Sequence, residues 1–305
     1  MDEAMIKLEA GKTYKLQVEY FDNGGDCFAG LYWKTPSAGS QNVLARFGDA
    51  GKVAAECDVT VAVLGINKSI EREGQDRFSL ELPVDQQEFI KELYKVNPNT
   101  VVVLVAGSSM AVNWMDENVP AILNAWYPGE QGGNAVAEVL FGDYNPGGRL
   151  PLTYYNSLDE IPAFDNYSVK GRTYQYFEGQ PLYEFGYGLS YTKFRYKSKG
   201  VNVEQDTVKV SFEVSNTGKY DGDEVAQVYV KYPETGTYMP LKQLHGFKRV
   251  HIKKGKTSKV TIGVPKKDLR YWDEQERKLV TPKGEYTFMV GASSDDIKFR
   301  ETVGL

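Results

Sequence analysis

The chain of 305 residues carries a formal net charge of −5, with 41% hydrophobic and 25% charged residues. It is long enough for about two domains with a sizeable core, and its acidic balance argues against nucleic acid as a partner. Two cysteines (Cys27, Cys57) and two histidines (His245, His251) exclude a disulfide scaffold, a zinc-finger spacing and a histidine-based triad.

Residues 13–21 and 28–33 alternate apolar and polar side chains, which predicts two strands. The small residues Asp22-Asn23-Gly24-Gly25-Asp26 between them suit a hairpin turn. Pro36-Ser37-Ala38-Gly39-Ser40 reads as a linker. The pattern then changes to strand–helix alternation. The apolar run 58–66 is a buried strand, and Pro83 opens a helix over 84–96 that Asn97-Pro98-Asn99 stops. Residues 100–106 form a second buried strand, 121–127 a third, and 131–141 a further helix after Pro128-Gly129. Continuous apolar strands in short βα units imply a parallel sheet covered on both faces.

Residues 143–192 are rich in Gly, Pro and Tyr. From about 193 the period is two, with strands at 208–214, 224–230, 244–252, 258–264 and 285–292. That spacing suggests an immunoglobulin-like sandwich. The fold class is therefore α/β plus all-β: an α/β sandwich domain with a mostly parallel sheet, followed by a β-sandwich. The expected divisions are 1–40 (remnant of a β-sandwich insert plus linker), 41–153 (α/β domain), 154–192 (aromatic connecting segment) and 193–305 (β-sandwich). No run of about 18 apolar residues exists, so no membrane span is expected, and no signal peptide opens the chain. The 21 Tyr and 4 Trp serve either sheet packing or stacking on sugar rings.

The charged knot Glu71-Arg72-Glu73-Gly74-Gln75-Asp76-Arg77 follows the first buried strand. Loops leaving the carboxyl ends of such strands are where open α/β sheets place active sites. Glu73 is the first candidate for a general acid/base, since Gly74 lets a ligand approach and a carboxyl group's pKa is tunable. Glu71 is its rival, and Asp76 and Arg77 are loop-shaping candidates through charged hydrogen bonds. An ion-paired loop without chemistry is the competing reading. Gly129-Glu130-Gln131-Gly132-Gly133 lacks the Lys and Ser/Thr of a phosphate loop and reads as a tight turn with close helix packing. Ser108 and Ser109 have neither a nucleophile-elbow sequence nor a nearby histidine.

Several strings in order carry a resemblance. They are 69–77 with Leu80, Leu82 and Pro83; Trp126 to Gly133; Phe141 to Pro151; Gly171 to Phe177; and Tyr183 to Tyr191. Over residues 41–305 the chain resembles the C-terminal half of glycoside hydrolase family 3. Residues 193–305 are similar to that family's fibronectin type III-like domain, and 5–36 resemble the end of a protective-antigen-type β-sandwich. The resemblance implies a retaining exo-β-glycosidase, with Glu73 (Glu71 as fallback) as acid/base and the nucleophilic Asp on an N-terminal (β/α)8 barrel outside this chain. It implies an oligosaccharide substrate, that barrel as partner, no cofactor, no metal, and a periplasmic or secreted setting for the full-length enzyme. The chain alone is expected not to hydrolyse glycosides, and an apolar patch exposed on the α/β domain favours a partner or a homodimer. The Ser-Ile-Glu-Arg-Glu and Gly-Arg-Thr-Tyr strings look most like the β-xylosidase branch, with β-glucosidase close behind. Two other classes compete: a carbohydrate-binding or scaffolding fragment without chemistry, and a nucleotide-binding α/β protein, which needs a glycine fingerprint the sequence lacks.

Overall fold

A computed structural model describes residues 12–15, 17 and 46–305. The chain divides into two compact units, Met1–Asn42 and Val43–Leu305. The expected N-terminal hairpin and linker lie almost wholly outside the described residues.

The second unit opens with a short helix, α1 (Ala50–Glu56), followed by β1 (Thr60–Gly65), α2 (Val84–Val96), β2 (Thr100–Val105), α3 (Asn113–Asn118), β3 (Ala121–Asn124) and α4 (Gly132–Phe141). The three strands form a parallel sheet in the order β1-β2-β3, with Ala62 beside Val102 and Leu64 beside Leu104. These four side chains share one buried cluster with Ala54 of α1, Ile90 and Leu93 of α2 and Met115 of α3. Pro83 stands at the start of α2 as expected, where its missing N–H costs nothing. Asn97 ends that helix and ties three segments together. Its Nδ2 donates to the Ala54 and Cys57 carbonyls at 3.0 and 2.8 Å and to Thr60 Oγ1 at 3.2 Å.

Two expectations change. The described residues do not cover both faces of the sheet at β1: Ala62 and Leu64 are buried, but Val61 and Val63 are 46% and 66% exposed. The described helices α1 and α2 share the cluster of the Ala62 and Leu64 face, so the alternate side chains of the pleat point away from it. The third strand also stops at Asn124 rather than continuing to Tyr127. Ala125 still donates its N–H to the Leu104 carbonyl at 2.8 Å, but Trp126 then adopts a left-handed φ of 55°, which turns the chain out of the sheet.

A segment rich in aromatic residues, including the one-turn helix α5 (Thr173–Tyr176), links the α/β domain to the C-terminal sandwich. Its two arms pair at a bridge between Tyr154 and Tyr183 and at Leu150 N to Tyr187 O, 2.8 Å. The sandwich comprises β4 (Phe194–Val203), β5 (Thr207–Asn216), β6 (Gly222–Lys231), β7 (Gln243–Ile252), β8 (Thr257–Pro265), the small hairpin β9 (Tyr271–Asp273) and β10 (Lys278–Val280), β11 (Glu285–Gly291) and β12 (Ile297–Gly304). Four antiparallel strands, β12-β11-β6-β7, face three, β4-β5-β8, an immunoglobulin-like arrangement. Alternate residues fill the space between the sheets, among them Val208, Val210, Phe212, Val228, Phe288 and Val290. Strands β4 and β12 were not foreseen, because half-buried edge strands with charged outer faces carry a weak apolar signal.

The two domains are locked by the Asn145-to-Pro151 string. Arg149 reaches into the sandwich and pairs with Glu224 of β6 at 3.1 Å, both nearly inaccessible (9% and 3% exposed). The Tyr196 hydroxyl donates to the other Glu224 oxygen at 2.7 Å. Asn145 donates to the Asp221 carbonyl and accepts from Ser190 Oγ and Tyr191 N.

Candidate functional site

The carboxyl ends of β1, β2 and β3 converge on one rim, and the charged loop rises from it. Gly65 ends β1, and its backbone N–H and C=O are both held by the Gln86 side-chain amide at 2.8 Å. No side chain fits there, since a Cβ at Gly65 would lie 1.8 Å from the Val105 carbonyl oxygen. The chain leaves the sheet through a turn in which Asn67 Oδ1 accepts from Ser69 N and Oγ. It then folds into a tight hairpin whose ends, Arg72 and Gln75, exchange backbone hydrogen bonds at 3.1 and 3.0 Å. Gly74 at the tip has φ +73°, a left-handed conformation that glycine adopts without penalty. Gln75 pins the hairpin by donating to the Ser69 carbonyl at 3.2 Å.

The two glutamates are thereby separated. Glu71 is half-buried at the base of the hairpin. Its Oε2 lies 3.0 Å from Arg77 Nε and accepts from Ser108 Oγ at 2.6 Å. Arg77 spends the rest of its fork on the Ser109 carbonyl and the Met110 sulfur. Burial lowers the Arg77 pKa from its ordinary value, and the charge of Glu71 opposes that shift. Arg77 thus turns to Glu71 and to the loop after β2, not to Asp76, which is exposed and has no side-chain partner among the described residues. Glu73 stands one step beyond, on the hairpin tip, exposed, and with no hydrogen bond or ion pair among the described residues.

Behind the loop lies a wall of polar aromatic groups. Tyr154 is buried and accepts from Asn124 Nδ2 at 2.9 Å. Burial pushes its hydroxyl up to about 12, against the pull of Asn124 and the Arg77 charge. Tyr183 donates to Asp116 Oδ1 at 2.6 Å, and burial together with that acceptor raises its pKa. The Tyr127 ring lies where a Cβ on Gly107 would stand, which keeps that position bare. Sequence reasoning missed Ser108, Met110, Asn124 and Tyr154 as parts of the site. Ser108 and Met110 follow β2 and Asn124 ends β3, positions that face the crevice of an open parallel sheet, whereas Tyr154, well along the connecting segment, carried no such signal. The Gly129–Gly133 string is a tight turn: a Cβ on Gly132 would press on the Pro128 ring at 2.4 Å. Among the described residues no group of three or more His, Cys, Asp or Glu is placed to hold a metal, and no helix is long and apolar enough to cross a membrane.

The charged hairpin thus stands at the C-terminal rim of a parallel sheet whose domain is locked to an antiparallel sandwich. Residues 8–191 match the glycosyl hydrolase family 3 C-terminal domain, and residues 224–294 match a fibronectin type III-like domain. The chain belongs to glycoside hydrolase family 3. It is 43% identical to the xylan 1,4-beta-xylosidase of Xylanibacter ruminicola over 73% of its own length and 26% of that protein. It is 36% identical to the beta-glucosidase of Kluyveromyces marxianus over 96% of its length and 37% of that protein. The crystal structure of the latter in complex with glucose matches 90% of this chain and 34% of that chain, with a TM-score of 0.80. Beta-glucosidase 3B of Thermotoga neapolitana matches 84% of this chain and 39% of that one, with a TM-score of 0.75 and 31% identity. The chain therefore spans about a third of the length of the relatives it matches.

Proposed function

We propose that Glu73 is the general acid/base of a retaining exo-β-glycosidase that removes non-reducing terminal β-D-xylosyl or β-D-glucosyl residues. The nucleophilic carboxylate would come from a separate barrel unit. The observation that carries this reading is the division of labour between the two glutamates. Glu71 is committed to Arg77 and Ser108, while Glu73 rides on the tip of the hairpin they anchor, with its carboxyl unspent. In such a reaction Glu73 protonates the glycosidic oxygen as the C–O bond breaks. It then takes a proton from the water that releases the sugar from the nucleophile, the two carboxyls standing roughly 5–5.5 Å apart.

The share of the relatives' length that this chain spans supports a site completed elsewhere. So do exposed apolar side chains: Phe78, which follows the hairpin in sequence, is 97% exposed, and Val61 and Val63 of β1 are 46% and 66% exposed. A surface of that kind suits burial against a barrel-bearing unit or a second copy. The 43% identity to a xylosidase favours xylosides over glucosides. A periplasmic or secreted setting is supported by the 33% identity to the periplasmic beta-glucosidase of Salmonella typhimurium.

The test is a kinetic comparison on aryl β-xyloside and β-glucoside, using the chain alone and the chain joined to a family barrel. The joined protein should turn over, and Glu73→Gln should lower kcat/KM by about 10²–10⁴-fold for poor leaving groups. An unchanged rate in Glu73→Gln, with loss in Glu71→Gln, would move the role to Glu71. Turnover by the chain alone that Glu73→Gln abolishes would refute the composite site.

A further inference from the structure

A recess lies away from the hairpin. It is a cleft of about 510 Å³ between the aromatic segment and the sandwich, within the size range of small-molecule sites. Tyr174, Phe177, Glu178, Glu184, Lys242 and Ser294 are among its walls. Its position follows from strand alternation in the connecting segment: Tyr154 packs toward Arg77, while its neighbour Thr153 lines the cleft and accepts from Tyr174 N at 2.8 Å.

The walls are rigid. Tyr174 stacks on Phe185 at 4.3 Å and meets Tyr229 edge-on, and its hydroxyl accepts from Leu244 N at 3.1 Å. Phe177 is braced edge-on by Tyr155 at 5.0 Å. The next turn needs a glycine, since a Cβ at Gly179 would lie 2.4 Å from the Phe177 ring. Lys242 is fixed by the Ser294 carbonyl at 2.6 Å and by an ion pair with Asp295.

Hydrogen-bonding capacity is left over on this rigid frame. Glu178 is exposed and has no partner among the described residues, and Glu184 uses one oxygen, accepting from Ser293 Oγ at 2.7 Å. Three carboxylates, Glu178, Glu184 and Asp295, face a single ammonium, Lys242, so the cleft repels phosphates and uronates. Carboxylates accept paired hydrogen bonds from adjacent hydroxyls, an ammonium donates to ring or hydroxyl oxygens, and aromatic rings pack against the C–H face of a pyranose. We infer that this cleft is a second saccharide site, taking one or two neutral pyranosyl units of an oligosaccharide and separate from the Glu73 hairpin. The choice of xylosyl and glucosyl probes rests on the function proposed above, but the binding itself does not require catalysis.

The test is a titration of the full chain with xylobiose and cellobiose, read by calorimetry and by the NMR signal of the Met289 methyl group, which lies in the cleft wall. At least one disaccharide should bind and shift Met289, and an acidic digalacturonide should not. Glu178→Ala, an exposed position that cannot unfold the chain, should weaken binding about fivefold or more, the effect of a lost hydrogen bond. Phe177→Leu should weaken it further, and Glu73→Gln should leave it unchanged. Loss of hydrolysis by Glu73→Gln in the barrel-joined protein, with disaccharide binding intact in the same variant of the chain, separates the two sites. Absence of binding by both disaccharides, binding without a Met289 shift, or full affinity in both Glu178→Ala and Phe177→Leu would overturn the inference.

Discussion

Arg149→Met is the perturbation whose outcome the structure defines most sharply. The substitution keeps most of the side-chain volume but removes the partner of Glu224, a carboxylate that is 3% exposed. What remains on Glu224 is the single hydrogen bond from Tyr196. Breaking a buried pair from one side costs about 3–5 kcal/mol, because the stranded charge keeps its desolvation penalty. Burial already dominates at this site: it raises the Glu224 pKa above its ordinary 4.5, although Arg149 and the Tyr196 hydroxyl pull the other way. The double variant Arg149→Met/Glu224→Leu should therefore return to within about 2 kcal/mol of the original, losing chiefly the Tyr196 bond. The sign of the pH effect follows from the same shift. As pH falls toward 4.5, the folded chain takes up the Glu224 proton before the unfolded chain does, so this group's contribution to stability rises. As pH climbs through that window the contribution is lost. The cost of Arg149→Met should accordingly be smaller at pH 5 than at pH 7.5. Urea unfolding followed by both circular dichroism and tryptophan fluorescence gives all four corners of the cycle. A single-variant loss under about 1 kcal/mol, or a double variant as unstable as the summed singles, would refute the reasoning.

The other expectations concern the rim that holds the hairpin. Gly65→Ala drives a Cβ into the Val105 carbonyl. It should cost about 1–3 kcal/mol by overpacking and displace the loop, read as faster proteolysis between residues 67 and 80. Glu71→Ala removes the acceptor shared by Arg77 and Ser108. In a catalytically complete protein it should lower kcat by about tenfold, through misplacement of Glu73, with stability reduced by about 1–3 kcal/mol. If Glu71→Ala abolished activity as completely as Glu73→Gln, the anchoring role given to Glu71 would fail.

The repeating patterns of the chain determined much of its form. Apolar runs with Pro83 and Asn97 at their borders define β1, α2 and β2, and α2 begins and ends at the residues the periodicity indicates. Period-two alternation marks five sandwich strands, because each buries every second side chain between two sheets. Local pattern also located the charged loop at a strand end, and named Glu71, Glu73, Asp76 and Arg77 as its acting residues. It put Glu73 first and Glu71 second, but it could not say which charges pair, since adjacent charges look alike until their partners are known. Only tertiary structure brought Ser108, Ser109 and Met110, more than thirty residues downstream, under Arg77 and Glu71. That contact leaves Glu73 unspent at the tip. Tertiary structure likewise decided that the described residues leave one face of β1 open, and that Arg149 is a buried latch rather than a loop cation. Both depend on which distant surfaces meet, and a pattern of period two or 3.6 carries no information about that.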